Sequence, residues 1–592
     1  MPAKSEQGRE VIQRLLTSRG AEKYLYPLLL LVYPLLLIHQ GVDITDTTYS
    51  LGYYRFMEEM DLTWVLATWL ANVAGAALRK LPMGDTLLGM NLYTSLILAG
   101  IALLTYYGLS RWLSRWLVFL GEVIALSLCW CPTTILYNYL TYLLFALGGL
   151  LLYRAVCEED KRYFVAAGLC LGVNVWVRFS NLAEAGLIVV VWYAGWLKRE
   201  KLLEIGKKTG LCLVGYLAGM GSILWIIGVK YGREAFPQMV QSLFGMTKEA
   251  SDYTLAGMLM ATADAYWVGI KWMAWMIPCV GAGLFLFWWK KGRYEGMKKL
   301  LYCLGIPVLL RFYWARGMFS FRYYNEGCIF QWMMLFLILT IICCIYGIFG
   351  RTEEGKSPQK DQQERILAVL VLMIVLLTPL GSNNYTYQNM NNLFLVAPYT
   401  LWSGLRILNK TRGYSLHFPW QSFLVLILLM TFAQGLGFGC RYVFRDGIHG
   451  EARDTQVENS SVLEGMYTNR ENAQGLSELL AFCQEENVGE QPVLLWGNAP
   501  GLSYILDTPS AIFTTWPEIP SNTTEALAQA LEELAWKPDV ILHYETGKSL
   551  EEGKKSELIL DFLKDGDYGC IFENRNYKVY RAAGQTNQVS KR

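Results

Sequence analysis

The chain has 592 residues, 53% of them hydrophobic and 14% aromatic, with a mean hydropathy of +0.26. Charged residues make up only 17%, against about 25% in soluble domains, which places the chain in the membrane class. A net charge of +2 leaves no basic field for nucleic acid, and 13 cysteines without paired CxxC spacing, with 4 scattered histidines, exclude a disulfide framework and an HExxH-type metal centre.

A basic leader with Arg9, Arg14, Arg19 and Lys23 precedes an apolar run from about Tyr24 to Ile38. No small-x-small cleavage site follows, so the run reads as a retained signal anchor. The positive-inside rule holds the leader in the cytoplasm. The next stretch, GVDITDTTYSLGYYRFMEEMD from Gly41, is then the first external loop, and it carries Asp43 and Asp46 to the outer membrane surface. Carboxylates beside a bilayer are costly when desolvated and point to chemistry. Spaced three apart, the two share one turn, and either could take a proton from a hydroxyl attacking at the surface. The structural alternative is that Asp46 or Thr48 caps a short interfacial helix starting near Tyr49.

Leu62–Leu81 is apolar enough to span, but counting it would break the alternation of basic loops. It reads as a helix lying along the outer interface, a depth that suits Trp64 and Trp69. Apolar runs then recur to Gly439, about thirteen in all at the ~20 residues a bilayer needs. Basic loops between them give a cytoplasmic N-terminus and an external C-terminus.

Several polar residues fall on the external side. Arg178 ends a span in WVRFSNLAE, Lys248 lies in the loop between about Lys230 and Asp264, and Asn383, Asn384 and Tyr385 belong to GSNNYTYQNMNN. Amides beside aromatic rings suit sugar hydroxyls and apolar ring faces, although Asn-rich loops are often only turns. Arg311, Arg316 and Arg322 lie in RFYWARGMFSFRYYNEG, outside by this topology and against the charge rule. Guanidinium forks bind phosphate in bidentate fashion. The alternative is that these arginines snorkel to lipid headgroups.

Composition changes near Arg441, and the tail to Arg592 is long enough for one domain. PVLLWG, AIFTTW, DVILHYE and the pair YGCIFEN/YKVYRAA read as strands. The stretches around Leu476–Glu486, Thr524–Ala535 and Ser556–Lys564 read as helices. The turn WGNAPG at Trp496–Gly501 is not GxGxxG and carries no P-loop lysine, which argues against nucleotide binding.

This layout resembles the GT-C superfamily of membrane glycosyltransferases, which includes protein O-mannosyltransferases and the aminoarabinose transferase acting on lipid A. The matching pieces are DITDTTY, the Leu62–Leu81 segment and the tail from Arg441, so the match covers essentially the whole chain. LTPLGSNN and NNLFLVAP also look like bacterial members of unassigned specificity. The resemblance implies a polytopic α-helical membrane protein, with interfacial helices in the first external loop. Residues 1–440 would form the transmembrane glycosyltransferase domain and 441–592 an extracytoplasmic α/β domain. It also implies transfer of a sugar, with inversion, from a polyprenyl-phosphate donor to a lipid, wall polymer or protein.

Asp46 would be the base, because D-x-x-Y matches the acidic-then-tyrosine pattern of bacterial relatives. The loop has no adjacent Asp-Glu pair, so Asp43 stays open for the same role. Arg178, Lys248, Arg311, Arg316 and Arg322 are the cations for the leaving lipid phosphate. The resemblance calls for no cofactor or catalytic metal, although some relatives bind a divalent ion, for which Asp43 would be the ligand. A lipid-linked glycan transporter or flippase would share many of these features but would favour midplane charges and paired half-sequences. A non-catalytic membrane scaffold is the third reading.

Overall fold

The computed structural model describes residues 17–130, 133–246, 255–274, 282, 294–351, 357–380, 384, 386–411, 420–446, 452–544 and 553–583. Among them, 5 helices are long and apolar enough to cross a membrane: Leu87–Leu109, Leu136–Glu158, Phe179–Leu197, Leu202–Tyr231 and Glu326–Phe349. The protein is therefore a membrane protein built mainly of helices. Further helices of similar length run over Leu255–Ala274, Glu295–Ala315, Pro358–Leu377 and Trp420–Gly439.

Side-chain caps set where several helices begin. The Thr86 hydroxyl accepts from Gly89 N at 3.1 Å, Asp160 accepts from Arg162 N at 2.9 Å, and Ser357 accepts from Lys360 N at 3.3 Å ahead of Pro358. Each satisfies a donor that the first helical turn cannot pair internally.

The stretch expected as one interfacial helix is two. Leu62–Ala67, capped by Asp61 through Thr63 N and Trp64 N, is followed after Thr68 by Trp69–Leu78. Trp69 is buried with Trp176, Ile223 and Met239, so it packs protein against protein.

In the tail, β1 (Thr455–Gln456) pairs antiparallel with β2 (Tyr467–Thr468). A separate sheet has the order β3-β4-β6-β5, where β3 is Leu494–Trp496, β4 Val540–His543, β5 Tyr568–Glu573 and β6 Tyr577–Ala582. β3 and β4 are parallel and the other pairings antiparallel. Arg470–Glu485, Thr524–Glu532 and Lys554–Asp565 are its helices.

AIFTTW, residues 511–516, expected as a strand, is irregular, and an isolated bridge pairs Val493 with Ser510 just before it. Local side-chain bonds compete with the ladder there. The Ser510 hydroxyl donates to Thr514 O at 2.7 Å, and the Thr514 hydroxyl accepts from Trp516 N at 3.1 Å.

The tail is built onto the first loop. Gly41 N donates to Tyr467 O at 2.8 Å, Tyr467 N to His39 O at 2.8 Å, Gly501 N to Ile44 O at 2.9 Å and Leu87 N to Val462 O at 2.8 Å. The Tyr504 hydroxyl donates to Asp85 O at 2.6 Å, and Arg55 pairs with Asp507. One apolar cluster runs from Val42, Leu51, Tyr53 and Tyr54 into Leu463, Leu476, Leu495, Tyr504 and Ile541. Loop and tail thus lie on the same side of the helical bundle.

Candidate active site

The two first-loop carboxylates have different environments. Asp43 is buried, at 3% exposure, and turned inward. It accepts from Thr45 N at 2.8 Å, from the Thr45 hydroxyl, and from Thr47 N at 2.8 Å. These are donors at the start of the helix Asp46–Arg55, so Asp43 serves as its cap. The helix begins at Asp46 rather than near Tyr49, and neither Asp46 nor Thr48 caps it. The Thr48 hydroxyl instead donates to Asp43 O at 2.8 Å. Burial pushes the Asp43 carboxyl up, and the Thr45 and Thr47 hydrogen bonds only partly offset this.

Asp46 points the other way. Its side chain keeps 27% of its surface open, and Oδ2 lies 2.7 Å from Nη1 of Arg445. Burial pushes its carboxyl up to about 6, with Arg445 pulling it down and Asp43 and Glu326 pushing it further up. That range suits a general base working near neutral pH.

Arg445 lies beyond the helix Trp420–Gly439, in a turn with φ of +44°, a left-handed conformation that a non-glycine residue keeps only under constraint. The constraint is visible on both sides. Val443 sits where a Cβ on Gly41 would come within 2.2 Å, and Gly41 itself has φ of +97°. Asp446 is buried and accepts from the Thr468 hydroxyl at 2.5 Å and Asn472 Nδ2 at 3.0 Å, with Arg453 at 3.4 Å. Burial works against the Arg445 charge, but Asp46, Asp43 and Glu326 together raise its pKa.

The Tyr442 hydroxyl donates to Glu326 Oε2 at 3.1 Å, and its ring stacks on Phe438 at 4.2 Å. Trp130 stacks on Phe444 at 5.6 Å and meets Tyr387 at 5.9 Å. The Asp46–Arg445 pair is thus flanked at Arg445 by the Phe444 ring, and the second acid, Glu326, is held by the Tyr442 hydroxyl.

The other expected residues are dispersed. Arg311, Arg316 and Arg322 are exposed at the end of Glu295–Ala315 and in the turn after it, with Arg316 lying 3.7 Å over the Phe312 ring. Arg178 is half-buried, 5.8 Å over the Tyr137 ring. Asn384 is exposed in a turn, where its carbonyl accepts from Tyr387 N at 3.0 Å. Lys248, Asn383 and Tyr385 lie outside the described residues.

The rest of the amide-rich run serves the interior. Gln388 accepts from the Tyr142 hydroxyl at 2.6 Å, and Asn389 donates to Val375 O at 2.8 Å.

Among the described residues, no three His, Cys, Asp or Glu side chains stand close enough to hold a metal ion. Both Asp43 oxygens already accept hydrogen bonds from Thr45 and Thr47.

Sequence reasoning missed Arg445, Glu326, Tyr442 and Trp130. No local sequence pattern marks Arg445, which lies 400 residues along the chain from the loop that it meets.

The fold and site define a polytopic membrane protein with a carboxylate–guanidinium pair where its first loop meets its tail. No family model matches the chain, and no curated protein does. Solved structures do. ArnT from Cupriavidus metallidurans, bound to undecaprenyl phosphate, is 10% identical, covering 95% of this chain and 98% of that one at a TM-score of 0.38. The Archaeoglobus fulgidus oligosaccharyltransferase, tethered to an acceptor peptide, is 12% identical over 95% of this chain and 74% of its own, with a TM-score of 0.45. The arabinosyltransferase EmbB from Mycobacterium smegmatis is 11% identical over 70% and 42%, at 0.30. These neighbours are GT-C glycosyltransferases. Similarity this low leaves the functional reading to the site's own geometry.

Proposed function

We propose that the chain is a membrane glycosyltransferase of the GT-C kind, with about thirteen spans. Residues 1–440 form its membrane domain and 441–592 an extracytoplasmic α/β unit, and the N-terminus is cytoplasmic. It moves a sugar from a polyprenyl-phosphate donor to a hydroxyl of a lipid, wall polymer or protein. The acceptor oxygen bonds to the anomeric carbon as the bond from that carbon to the phosphate oxygen breaks. The electron pair leaves with the lipid phosphate, and the hydroxyl proton passes to Asp46. Cations on the outer rim, Arg311, Arg316 and Arg322 among them, hold the lipid phosphate.

One observation carries the reading: Asp46 is the first-loop carboxylate that stays partly open and is paired with a cation. Buried Asp43 is already used as a cap. A carrier or scaffold would not need a carboxylate held this way.

The test is release of undecaprenyl phosphate from a panel of undecaprenyl-phosphate hexoses and pentoses, using the full chain in nanodiscs. Asp46→Asn should bind donor yet lose turnover by roughly a hundredfold or more. Wild-type turnover in that variant would remove Asp46 as the base, and no turnover by the wild-type chain with any donor would remove the donor class.

A further inference from the structure

We infer that Arg445 changes partners when the donor binds, leaving Asp46 for the donor's phosphate and so releasing the carboxylate to act as the base. This rests on the transferase reading above.

The first argument is that the observed pair is a resting arrangement. Asp46 Oδ2 lies 2.7 Å from Arg445 Nη1, and a carboxylate whose charge is engaged by a guanidinium is a weaker proton acceptor. Loosening the pair strengthens Asp46 as a base.

The second is that Arg445 is built to move at its tip and not at its root. Its backbone is clamped between Gly41–Val443 packing and the Asp446 hydrogen bonds. Its side chain is 42% exposed. Among the described residues its contacts with the loop run through Nη1, to Asp46 and at 3.5 Å to the Thr45 hydroxyl. The planar fork keeps Nε and Nη2 for an incoming oxyanion, and guanidinium binds phosphate in bidentate fashion.

The third concerns charge. Asp43, Asp46, Glu326 and the Tyr442 hydroxyl face Arg445 and keep it cationic. A phosphodiester donor brings one negative charge, and its leaving phosphate gains a second. The guanidinium therefore binds the departing group more strongly than the donor, which favours the transition state over the ground state. The same motion withdraws the cation that holds the Asp46 pKa down. Donor arrival thus makes the base more basic, so an empty site keeps a weaker one.

The experiment reads protons rather than turnover. Undecaprenyl methyl phosphate, a diester with no titrating proton near neutrality, is added to the full chain in nanodiscs. Calorimetry is run at pH 6.5 in buffers of different ionisation enthalpy. If the Asp46 pKa rises by about one unit from about 6, binding takes up roughly half a proton per site. Asp46→Asn should bind without uptake, and Arg445→Gln should bind tenfold or more weakly and without uptake. Inorganic phosphate and phosphatidylglycerol should give none.

Tight binding by the wild-type chain without proton uptake overturns the exchange while leaving the transferase reading intact, and so does uptake that persists in Asp46→Asn. Equal uptake with phosphatidylglycerol overturns donor control of the pair. Failure of the diester to bind overturns the transferase reading itself. The wild-type measurements decide the matter even if Arg445→Gln folds poorly.

Discussion

Replacing Asp43 by asparagine separates structure from chemistry in the first loop. The carboxylate accepts through both oxygens, Oδ1 from Thr45 N and the Thr45 hydroxyl and Oδ2 from Thr47 N. An asparagine supplies one acceptor oxygen, so in either flip one buried backbone N–H faces an amide NH2. An unmet buried donor costs about 1–3 kcal/mol. Loss of negative charge at a helix N-terminus adds about 0.3–1 kcal/mol. The sum, roughly 1–4 kcal/mol, falls on the loop and on the tail elements packed against it. At about 2–4 °C per kcal/mol for a unit of this size, thermal unfolding should drop by several degrees or more. Turnover should fall less than in Asp46→Asn, because the proposed base is still present. Unfolding in detergent and turnover are measured on the same preparation of each variant. Unchanged unfolding in Asp43→Asn together with a hundredfold loss of turnover would refute this division and move the base to Asp43.

Gly501→Ala would place a Cβ 1.6 Å from the Thr48 hydroxyl and 2.8 Å from Ile44 O; overpacking of this kind costs about 1–3 kcal/mol, so hydrogen exchange at Ile44–Ser50 should quicken and turnover should fall. The pH dependence of kcat/KM for the donor should show an acid limb near 6, with the rate rising as pH rises, because protonated Asp46 cannot accept a proton; residual activity in Asp46→Asn that keeps this limb would assign it elsewhere. Cys570 is exposed on β5 and Cys440 is also exposed, so in a Cys440→Ser background a membrane-impermeant maleimide should label intact cells by an amount that falls when Cys570 is also replaced by Ser; protection of Cys570 until lysis would place the tail inside.

The membrane class, the first-loop acids and the mixed character of the tail were legible because composition and local periodicity encode them. The division of labour between Asp43 and Asp46 was not. Spacing puts both on one turn, and only the fold decides which carboxylate turns toward Thr45 and Thr47. Arg445 was invisible for a different reason. It reaches Thr45 across 400 residues of sequence, and no local pattern announces that pairing. Density of amides says nothing of direction: Gln388 and Asn389, further along the same run, bond to groups of the bundle. AIFTTW looked like a strand by its β-branched and aromatic residues, while Ser510 and Thr514 drew the backbone into local turns.

What the tail does for the site follows from the loop's own weakness. The helix Asp46–Arg55 has 10 residues, and isolated helices shorter than about 12–15 residues are marginal in water. It is held from the bundle side, where the Thr134 hydroxyl donates to Thr47 O at 2.8 Å and the Tyr54 hydroxyl donates to Thr134 O at 2.8 Å. It is held from the other side by Gly501, Tyr504 and the cluster shared with Leu476 and Leu495. The same tail supplies Thr468 and Asn472, which fix Asp446 and hence the turn presenting Arg445. Loop and guanidinium are therefore positioned by one packed unit. The geometry of the Asp46–Arg445 pair is set by the junction of loop and tail, and neither segment would hold it alone.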